Sequence, residues 1–315
     1  MKGKAKVFPT MITPYKKSGE VDYAGVESLV EWYWKKGCDG IFAVCQSSEI
    51  FYLSLEDRVR IAKTVVEKAK ALAETDKSRS PMIIVASGHV SDEFEKQVKE
   101  LTEISKVGVD GIIFISNRFD IENTSEDKWI ADMQKMMDAL PKEIPLGVYE
   151  CPKPYKRLMS EKMLQACLDT GRFAFMKDTC CAAEVIRNRL KLLKGTGFGL
   201  YNANAQTYLE TIREGADGYC GIMANFHPEM YRWVSDNMET EQSDLVQSFL
   251  CLSAFTESLA YPATAKYYLK EYEDINIEPI SRAVDCSLIT EYQKSCLKQM
   301  KLLGDKIFSC VKKGG

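Results

Sequence analysis

Short apolar segments alternate with longer amphipathic segments along most of the chain. Eight apolar segments are predicted to be β-strands, at residues 7–12, 41–44, 82–86, 112–115, 146–149, 173–177, 198–201 and 219–223. The stretches between them carry apolar residues at helical spacing, as at Val26, Leu29, Val30 and Tyr33. Eight strands that alternate with helices are the pattern of a closed parallel α/β barrel.

Three similar turns support this alternation, because each follows a helical stretch and leads into an apolar segment. The first glycine of each turn suits a left-handed residue that closes a helix, and the second permits a tight entry into the next strand. The turns are Gly37-Cys38-Asp39-Gly40, Gly108-Val109-Asp110-Gly111 and Gly215-Ala216-Asp217-Gly218.

The strand pattern stops after Pro228, and the chain to Val311 is predicted to be helical, with breaks near Pro262 and at residues 276–279. We therefore predict an α/β protein, a (β/α)8 TIM barrel with a C-terminal helical extension. Residues 1–230 would form the barrel with the active site. Residues 231–315 would form helices packed on the barrel or at a subunit interface.

Composition excludes several classes of function. Of the 315 residues 45% are hydrophobic and 28% are charged, and the net charge of −3 gives no general attraction to nucleic acid or to an anionic membrane. We expect no membrane span, because no run of about 18 apolar residues occurs. Eleven cysteines without a C-x-x-C pair and without a leader sequence predict reduced thiols in a cytoplasmic protein.

Candidate chemistry lies at the ends of two consecutive predicted strands, which deliver Tyr149 and Lys177. The carboxyl ends of barrel strands form one rim, so the two side chains should face each other. A lysine amine that leaves an apolar wall is poorly hydrated, and in its unprotonated form it can attack a ketone or aldehyde to give a Schiff base. Tyr149 could then move protons, and Ser47 could relay them. A lysine that simply points into solvent is the alternative for Lys177 taken alone.

Other side chains should reach the same rim. Gln46, Ser47 and Ser48 follow the second predicted strand, and His89 follows the third, where it would contact substrate. His89 and His227 are far apart and lack acidic partners at metal spacing, so we expect no metal site. The glycines at 195, 197 and 199 precede a strand instead of following one, unlike a dinucleotide-binding loop. We therefore expect no cofactor.

The order of several short motifs resembles one known family. Val44-Cys45-Gln46-Ser47-Ser48-Glu49 resembles the family pattern G-[TS]-T-G-E, and residues 53–58 resemble L-S-x-x-E-R. Tyr149-Glu150-Cys151-Pro152 resembles Y-N-x-P, and Met176-Lys177-Asp178-Thr179 resembles the strand that carries a Schiff-base lysine. The family is that of dihydrodipicolinate synthase and N-acetylneuraminate lyase, class I aldolases built on an eight-stranded barrel with C-terminal helices.

This resemblance implies roles for individual residues. Lys177 would be the imine-forming lysine and Tyr149 the proton shuttle, while Ser47 would take the second hydroxyl position of its loop. The backbone of Cys220 would line the pocket. The resemblance also implies a small-molecule oxo-acid substrate such as pyruvate, and a homotetramer or homodimer.

Departures from the family pattern fall in the substrate pocket. Gln46 and Ser48 replace a hydroxyl residue and a glycine of the loop, which alters the grip on a 2-oxo acid. Pro154 stands where the synthases have an arginine. Phe119 stands where they often have a relay tyrosine, so it would contact substrate without passing on a proton. Gln46, Ser48, Cys220 and His89 are the other expected substrate contacts. We therefore expect a lyase or aldolase other than an authentic dihydrodipicolinate synthase.

Two alternatives remain open from the sequence. The same imine could support dehydration of a 2-keto-3-deoxy sugar acid instead of carbon–carbon cleavage. The altered loop around Cys45 could instead belong to a catalytically silent relative that binds an oxo acid or acts as a scaffold.

Overall fold

The computed structural model describes residues 4–313 as a parallel β-barrel surrounded by helices. The strands run in the order β1-β8-β7-β6-β5-β4-β3-β2, and a bridge between Thr10 and Phe42 joins the two ends of the sheet. This arrangement confirms the predicted (β/α)8 barrel. The strands are β1 (Lys6–Val7), β2 (Gly40–Phe42), β3 (Ile83–Ala86), β4 (Gly111–Ile115), β5 (Leu146–Tyr149), β6 (Phe173–Asp178), β7 (Gly199–Asn202) and β8 (Gly218–Tyr219).

The first and last strands are shorter than the sequence predicts. β1 ends at Val7, two residues before Pro9, which has no N–H to donate to a neighbouring strand. β8 ends at Tyr219, and its predicted continuation forms a 3₁₀ turn at Ile222–Asn225 instead. Both differences occur where the chain leaves the barrel at its carboxyl rim.

Within residues 4–313, eleven α-helices accompany the strands. Side-chain caps begin three of them, since Ser54 Oγ accepts a hydrogen bond from the Asp57 N–H, Ser125 Oγ accepts one from the Lys128 N–H and Ser160 Oγ accepts one from the Met163 N–H. Around the barrel lie α1 (Tyr23–Lys35), α2 (Leu55–Thr75), α3 (Phe94–Ser105), α4 (Glu126–Asp138), α5 (Glu161–Asp169), α6 (Ala183–Leu193), α7 (Tyr208–Arg213) and α8 (Pro228–Asp236). The C-terminal helices are α9 (Glu241–Ser253), α10 (Ala263–Tyr272) and α11 (Glu291–Lys313).

The three glycine turns have the predicted geometry. Gly37, Gly108 and Gly215 adopt φ values of 82°, 85° and 106°, which other residues rarely adopt. Gly147 has a different constraint, because a Cβ atom there would lie 2.4 Å from carbons of the Phe175 ring. The glycine in β5 therefore makes room for an aromatic ring from β6.

The C-terminal helices close over one end of the barrel. α9 packs against α8 and α11, and a 3₁₀ turn at Ala254–Ser258 separates α9 from α10. The chain between α10 and α11 crosses the carboxyl rim near Ala283 and Val284. Across residues 4–313, no helix combines the length and apolar character needed to cross a membrane.

Candidate active site

A cavity of about 280 Å³ lies at the carboxyl ends of the strands, beneath the C-terminal segment. Its walls combine residues from the barrel rim with residues from the turns that precede and follow α10. Those used below are Gln46, Ser47, Tyr149, Lys153, Lys156, Lys177, Glu257, Tyr261, Ala283 and Val284. The cavity therefore has two sides, one supplied by strands and one supplied by the C-terminal extension.

Lys177 and Tyr149 lie side by side at the floor of this cavity. They are paired in register between β5 and β6, and the Lys177 Nζ atom lies 4.1 Å from the centre of the Tyr149 ring. The same Nζ atom lies 5.5 Å from the centre of the Phe42 ring, and Lys177 is 5% exposed. Within residues 4–313 the amine has no hydrogen bond or ion pair. It is therefore free to react with a molecule that enters the cavity.

The Tyr149 phenol is held in its protonated form. Burial raises its pKa well above the ordinary value, and nearby Cys151 and Cys45 add to the effect. The Cys151 thiol also donates a hydrogen bond of 3.3 Å to the side-chain oxygen of Gln46. Tyr149 can therefore donate a proton next to the lysine, and Gln46 is linked to it through Cys151.

Ser47 belongs to a small cluster of hydroxyl groups. Its Oγ donates to Thr10 Oγ1 at 3.0 Å, and the Tyr261 phenol interacts with both hydroxyls. Asn225 Nδ2 donates to the Tyr261 oxygen at 3.1 Å. Burial raises the pKa of Tyr261 well above its ordinary value, so this phenol also stays protonated. Chains of hydroxyls of this kind can pass protons from one group to the next.

The remaining charged groups lie around the opening of the cavity. Lys153 and Lys156 are exposed on the segment after β5, and Lys156 Nζ donates to the Thr179 carbonyl at 2.8 Å. Glu257 lines the cavity from the turn after α9, and burial raises its pKa to about 7 although Lys177 opposes the shift. These cations suit an anionic substrate group.

A buried ionic network fixes the ends of β5 and β6. Glu150 accepts hydrogen bonds from the N–H groups of Thr179 and Met159, at 2.8 and 2.7 Å. Arg189 forms ion pairs with both Glu150 and Asp178. Since Glu150 follows Tyr149 and Asp178 follows Lys177, this network ties together the backbone segments that carry these two side chains.

Glu49 fixes the roof of the cavity. Its Oε1 atom pairs with Lys266 Nζ at 2.7 Å. Its Oε2 atom accepts hydrogen bonds from Ser281 Oγ and from the N–H groups of Arg282 and Ala283, at 2.8, 2.5 and 2.9 Å. The C-terminal segment is therefore fastened directly to the loop that carries Ser47.

Three predicted substrate-binding residues, Gln46, Cys220 and Ser48, occupy different positions relative to the cavity. Gln46 lines the cavity, and its contact with a substrate stays a prediction. Cys220 instead lines a second, largely apolar cavity of about 240 Å³ on the other side of Lys177, together with Phe8 and Phe175. Ser48 is buried, where its Oγ donates to the Met11 carbonyl at 2.6 Å and accepts the Cys45 N–H at 3.0 Å. It shapes the loop and does not line the cavity.

The predicted substrate contacts of His89 and Phe119 are corrected by their burial. The Ile115 N–H donates to His89 Nε2 at 2.6 Å, so the Nδ1 proton is directed at Gln97 Oε1, 2.9 Å away. Burial lowers the pKa of His89 to about 4, and the ring is neutral. Phe119 packs in the same cluster against His89 and Trp129, with ring centres 5.5 and 5.7 Å apart. Neither side chain lines the cavity.

The sequence prediction missed Tyr261 and Glu257. Both belong to the helical extension, where their only local signal was the predicted break at Pro262, immediately after Tyr261. Their place in the cavity depends on how α9 and α10 dock on the barrel. As for metals, no group of three or more His, Cys, Asp or Glu side chains within the described part of the chain could hold an ion.

Comparison with known proteins shows the same fold and a related sequence. A 4-hydroxy-tetrahydrodipicolinate synthase of Oceanobacillus iheyensis is 22% identical over 249 residues, which are 78% of this chain and 79% of that protein. A sialic acid aldolase of Ruminococcus gnavus superposes with a TM-score of 0.82 at 16% identity, covering 98% of this chain and 99% of the other.

A third protein adds a bound ligand. The dihydrodipicolinate synthase of Acinetobacter baumannii, solved in complex with pyruvate, has a TM-score of 0.80 at 18% identity, over 95% of this chain and 98% of that one. The sequence profile described as "Dihydrodipicolinate synthetase family" matches residues 4–251. Because this match covers most of the chain, the protein belongs to the dihydrodipicolinate synthetase family and is an enzyme of its class I aldolase and lyase type.

Proposed function

We propose that Lys177 forms a Schiff base with the ketone of a 2-oxo acid, and that the enzyme then breaks or forms a carbon–carbon bond in the bound substrate. The observation that carries this proposal is the unpartnered Lys177 amine on the cavity floor, with the Tyr149 ring 4.1 Å from its Nζ atom. Because no residue from 4 to 313 hydrogen-bonds to this amine, it is available to the carbonyl group of a substrate.

The chemistry would proceed in three steps. The unprotonated Lys177 amine attacks the ketone carbon and forms a carbinolamine. Tyr149 donates a proton to the departing hydroxyl, so water leaves and the imine forms. The protonated imine then accepts the electron pair of the bond that breaks at the neighbouring carbon. Ser47, with its hydrogen bond to Thr10 and its contact with Tyr261, would return a proton to Tyr149.

The charges around the cavity support an anionic substrate different from that of a dihydrodipicolinate synthase. Lys153 and Lys156 line the cavity beside the segment where the synthases carry an arginine. The nearby Arg157 cannot replace that arginine, because it is buried and paired with Asp120 at 3.0 Å. Two lysine ammonium groups make a less directional carboxylate site than one bidentate arginine. We also propose a cytoplasmic homotetramer or homodimer, on the basis of the family.

Borohydride trapping tests the proposal. The enzyme is incubated with pyruvate or another 2-oxo acid and reduced, and the modified peptide is identified by mass spectrometry. We expect one adduct, on Lys177, which Lys177→Met abolishes. Lys191→Met, at an exposed lysine on α6, is the matched control and should keep the adduct. An adduct on another lysine, or none with any oxo acid, would contradict the assignment.

Product analysis separates the kinds of chemistry after trapping. Release of an aldehyde with pyruvate identifies carbon–carbon cleavage. Loss of water with the carbon chain intact identifies a dehydratase. Capture without turnover of any oxo acid would identify a silent relative.

A further inference from the structure

The cavity of about 240 Å³ on the other side of Lys177 lies inside the barrel, away from the carboxyl rim. We call it the amino-end cavity, because its exposed lining residues lie where strands begin. Asp110 and Pro145 immediately precede β4 and β5, and Ala174 is the second residue of β6. At the inner end, Cys220 and Lys177 are each 5% exposed. The cavity therefore opens at the amino end of the barrel and ends beneath the lysine.

Glycines leave this space open. The interior of a (β/α)8 barrel is normally filled by layers of bulky, branched side chains. Here Gly111, Gly147 and Gly199 stand near the starts of β4, β5 and β7. A Cβ atom on each would lie 3.4, 2.4 and 3.3 Å, respectively, from a ring carbon of Phe175 or Tyr201. Three strands therefore contribute no side chain to this layer, and aromatic rings border the space instead.

The lining of the amino-end cavity suits a flat aromatic molecule. The ring of Tyr201 makes edge contacts with those of Phe8 and Phe175, at centre distances of 5.1 and 6.3 Å. Aromatic rings prefer contacts of this kind, so the ring of a ligand can join the group at similar spacing. A dry apolar cavity of about 150 Å³ can hold benzene. The larger volume of about 240 Å³ therefore has room for a ring system such as indole.

Two charged groups at opposite ends of the amino-end cavity restrict the ligand further. Asp110 Oδ2 accepts the Ile84 N–H at 2.7 Å. Within residues 4–313, Asp110 Oδ1 has no hydrogen-bond partner and the carboxylate has no ion pair, so this oxygen can accept an N–H or O–H of a ligand. A cation would meet the Lys177 amine at the inner end, and an anion would meet the Asp110 carboxylate at the mouth. A neutral molecule with one donor group fits both ends.

We propose that the amino-end cavity is a second ligand site, which binds a small neutral aromatic molecule with one N–H or O–H donor, such as an indole or a phenol. The ligand ring packs against Phe8, Phe175 and Tyr201, and its donor group is directed at Asp110 Oδ1. Lys177 separates this site from the cavity at the carboxyl rim, so both can be filled at once. The site therefore suits an effector that contacts the Lys177 side chain without competing with a substrate.

Titration calorimetry with two probes tests the site. Indole carries an N–H donor, and benzothiophene has nearly the same shape without one. We expect saturable binding of one indole per chain, about tenfold or more tighter than that of benzothiophene, because the indole N–H bonds to a carboxylate. Asp110→Asn keeps an oxygen for the Ile84 N–H but presents an amide N–H₂ group to the ligand. This variant should lose the preference for indole and keep its affinity for benzothiophene.

Two further measurements locate the bound indole. Ala174→Phe places a ring at the mouth of the amino-end cavity and should abolish binding, whereas Ala71→Phe, at an exposed alanine on α2, is the matched control and should not. Enzyme that carries a borohydride-reduced pyruvate adduct on Lys177 should still bind indole, because the adduct extends into the other cavity.

Several results would overturn the inference. They are the absence of saturable indole binding, equal affinity for the two probes, binding that survives Ala174→Phe, and binding that the adduct abolishes. The Asp110→Asn comparison decides the question if Ala174→Phe does not fold. A wild-type enzyme that captures no oxo acid would overturn the proposed function alone, since the variants test the amino-end cavity without it.

Discussion

Removal of the buried Lys266 charge should destabilise the whole protein and loosen the cavity roof. In the substitution Lys266→Met the ammonium group disappears, while Glu49 keeps its carboxylate in a site where both side chains are at most 1% exposed. Loss of one partner from such a buried pair costs about 3–5 kcal/mol, because the remaining carboxylate stays buried without its charged partner. The half-buried Ile280 carbonyl, which accepts from Lys266 at 2.5 Å, can turn to water and adds little. We therefore expect a loss of about 4 kcal/mol in the free energy of unfolding.

Urea unfolding measures this loss. With a slope of about 3 kcal/mol per molar urea or more, the midpoint should fall by about 1 M. Lys298→Met, at an exposed lysine on α11, is the matched control and should leave the midpoint in place. The double variant Glu49→Gln with Lys266→Met removes both charges, so it should be clearly more stable than the sum of the single effects implies.

The reasoning would be refuted by either of two results. A midpoint for Lys266→Met equal to that of Lys298→Met would mean that water reaches the Glu49 carboxylate in the folded protein. Additive effects in the double variant would mean that the two charges do not stabilise each other. Enzyme activity of Lys266→Met provides a second measurement. Glu49 holds Ser281, Arg282 and Ala283 over the cavity, so a shift of its carboxylate should displace these residues and lower the activity.

Three further predictions follow from individual contacts. Phe119→Tyr should lower stability by about 1–3 kcal/mol in urea unfolding, because it buries a hydroxyl among aromatic rings. Activity per folded molecule should not rise, and a rise would mean that the new hydroxyl reaches the cavity. His89 is neutral in the folded protein, and on unfolding it gains a proton below its ordinary pKa of 6.5. The free energy of unfolding should therefore fall as the pH is lowered from about 6.5 to about 4, by up to about 1.4 kcal/mol per pH unit. Urea unfolding of His89→Gln over the same pH series should show a shallower fall. Gly147→Ala should lower the free energy of unfolding by about 1–3 kcal/mol, since the new Cβ atom would lie 2.4 Å from the Phe175 ring. Thermal or urea unfolding measures this loss, and an unchanged midpoint would mean that the ring moves aside.

The barrel could be predicted because each strand carries its own signal. The run at residues 146–149 is entirely buried in β5, so an uninterrupted apolar segment marks it whatever surrounds it. The positions of Tyr149 and Lys177 followed from the same signal, because a strand end in a parallel barrel has one possible location, the rim.

Residues after a strand end are harder to place, because the chain can turn toward the axis or away from it. After β4 the chain makes a 3₁₀ turn at Ser116–Arg118, and Phe119 then packs outward against Trp129. The hydrophobic side chain of Phe119 is compatible with either direction of the chain. Glu257 and Tyr261 depend on the docking of helices that are distant in sequence, and no local periodicity encodes that docking.

The two cavity walls come from different parts of the chain, and this separation affects how substrate specificity can evolve. Lys177 and Tyr149, the proposed reactive pair, lie at the ends of two strands that are largely buried in the barrel. Glu257 and Tyr261 lie on short turns outside the barrel, where a substitution leaves the strands β5 and β6 in place. New specificities can therefore arise in the extension, and grafting residues 254–284 between relatives would be a direct way to transfer them.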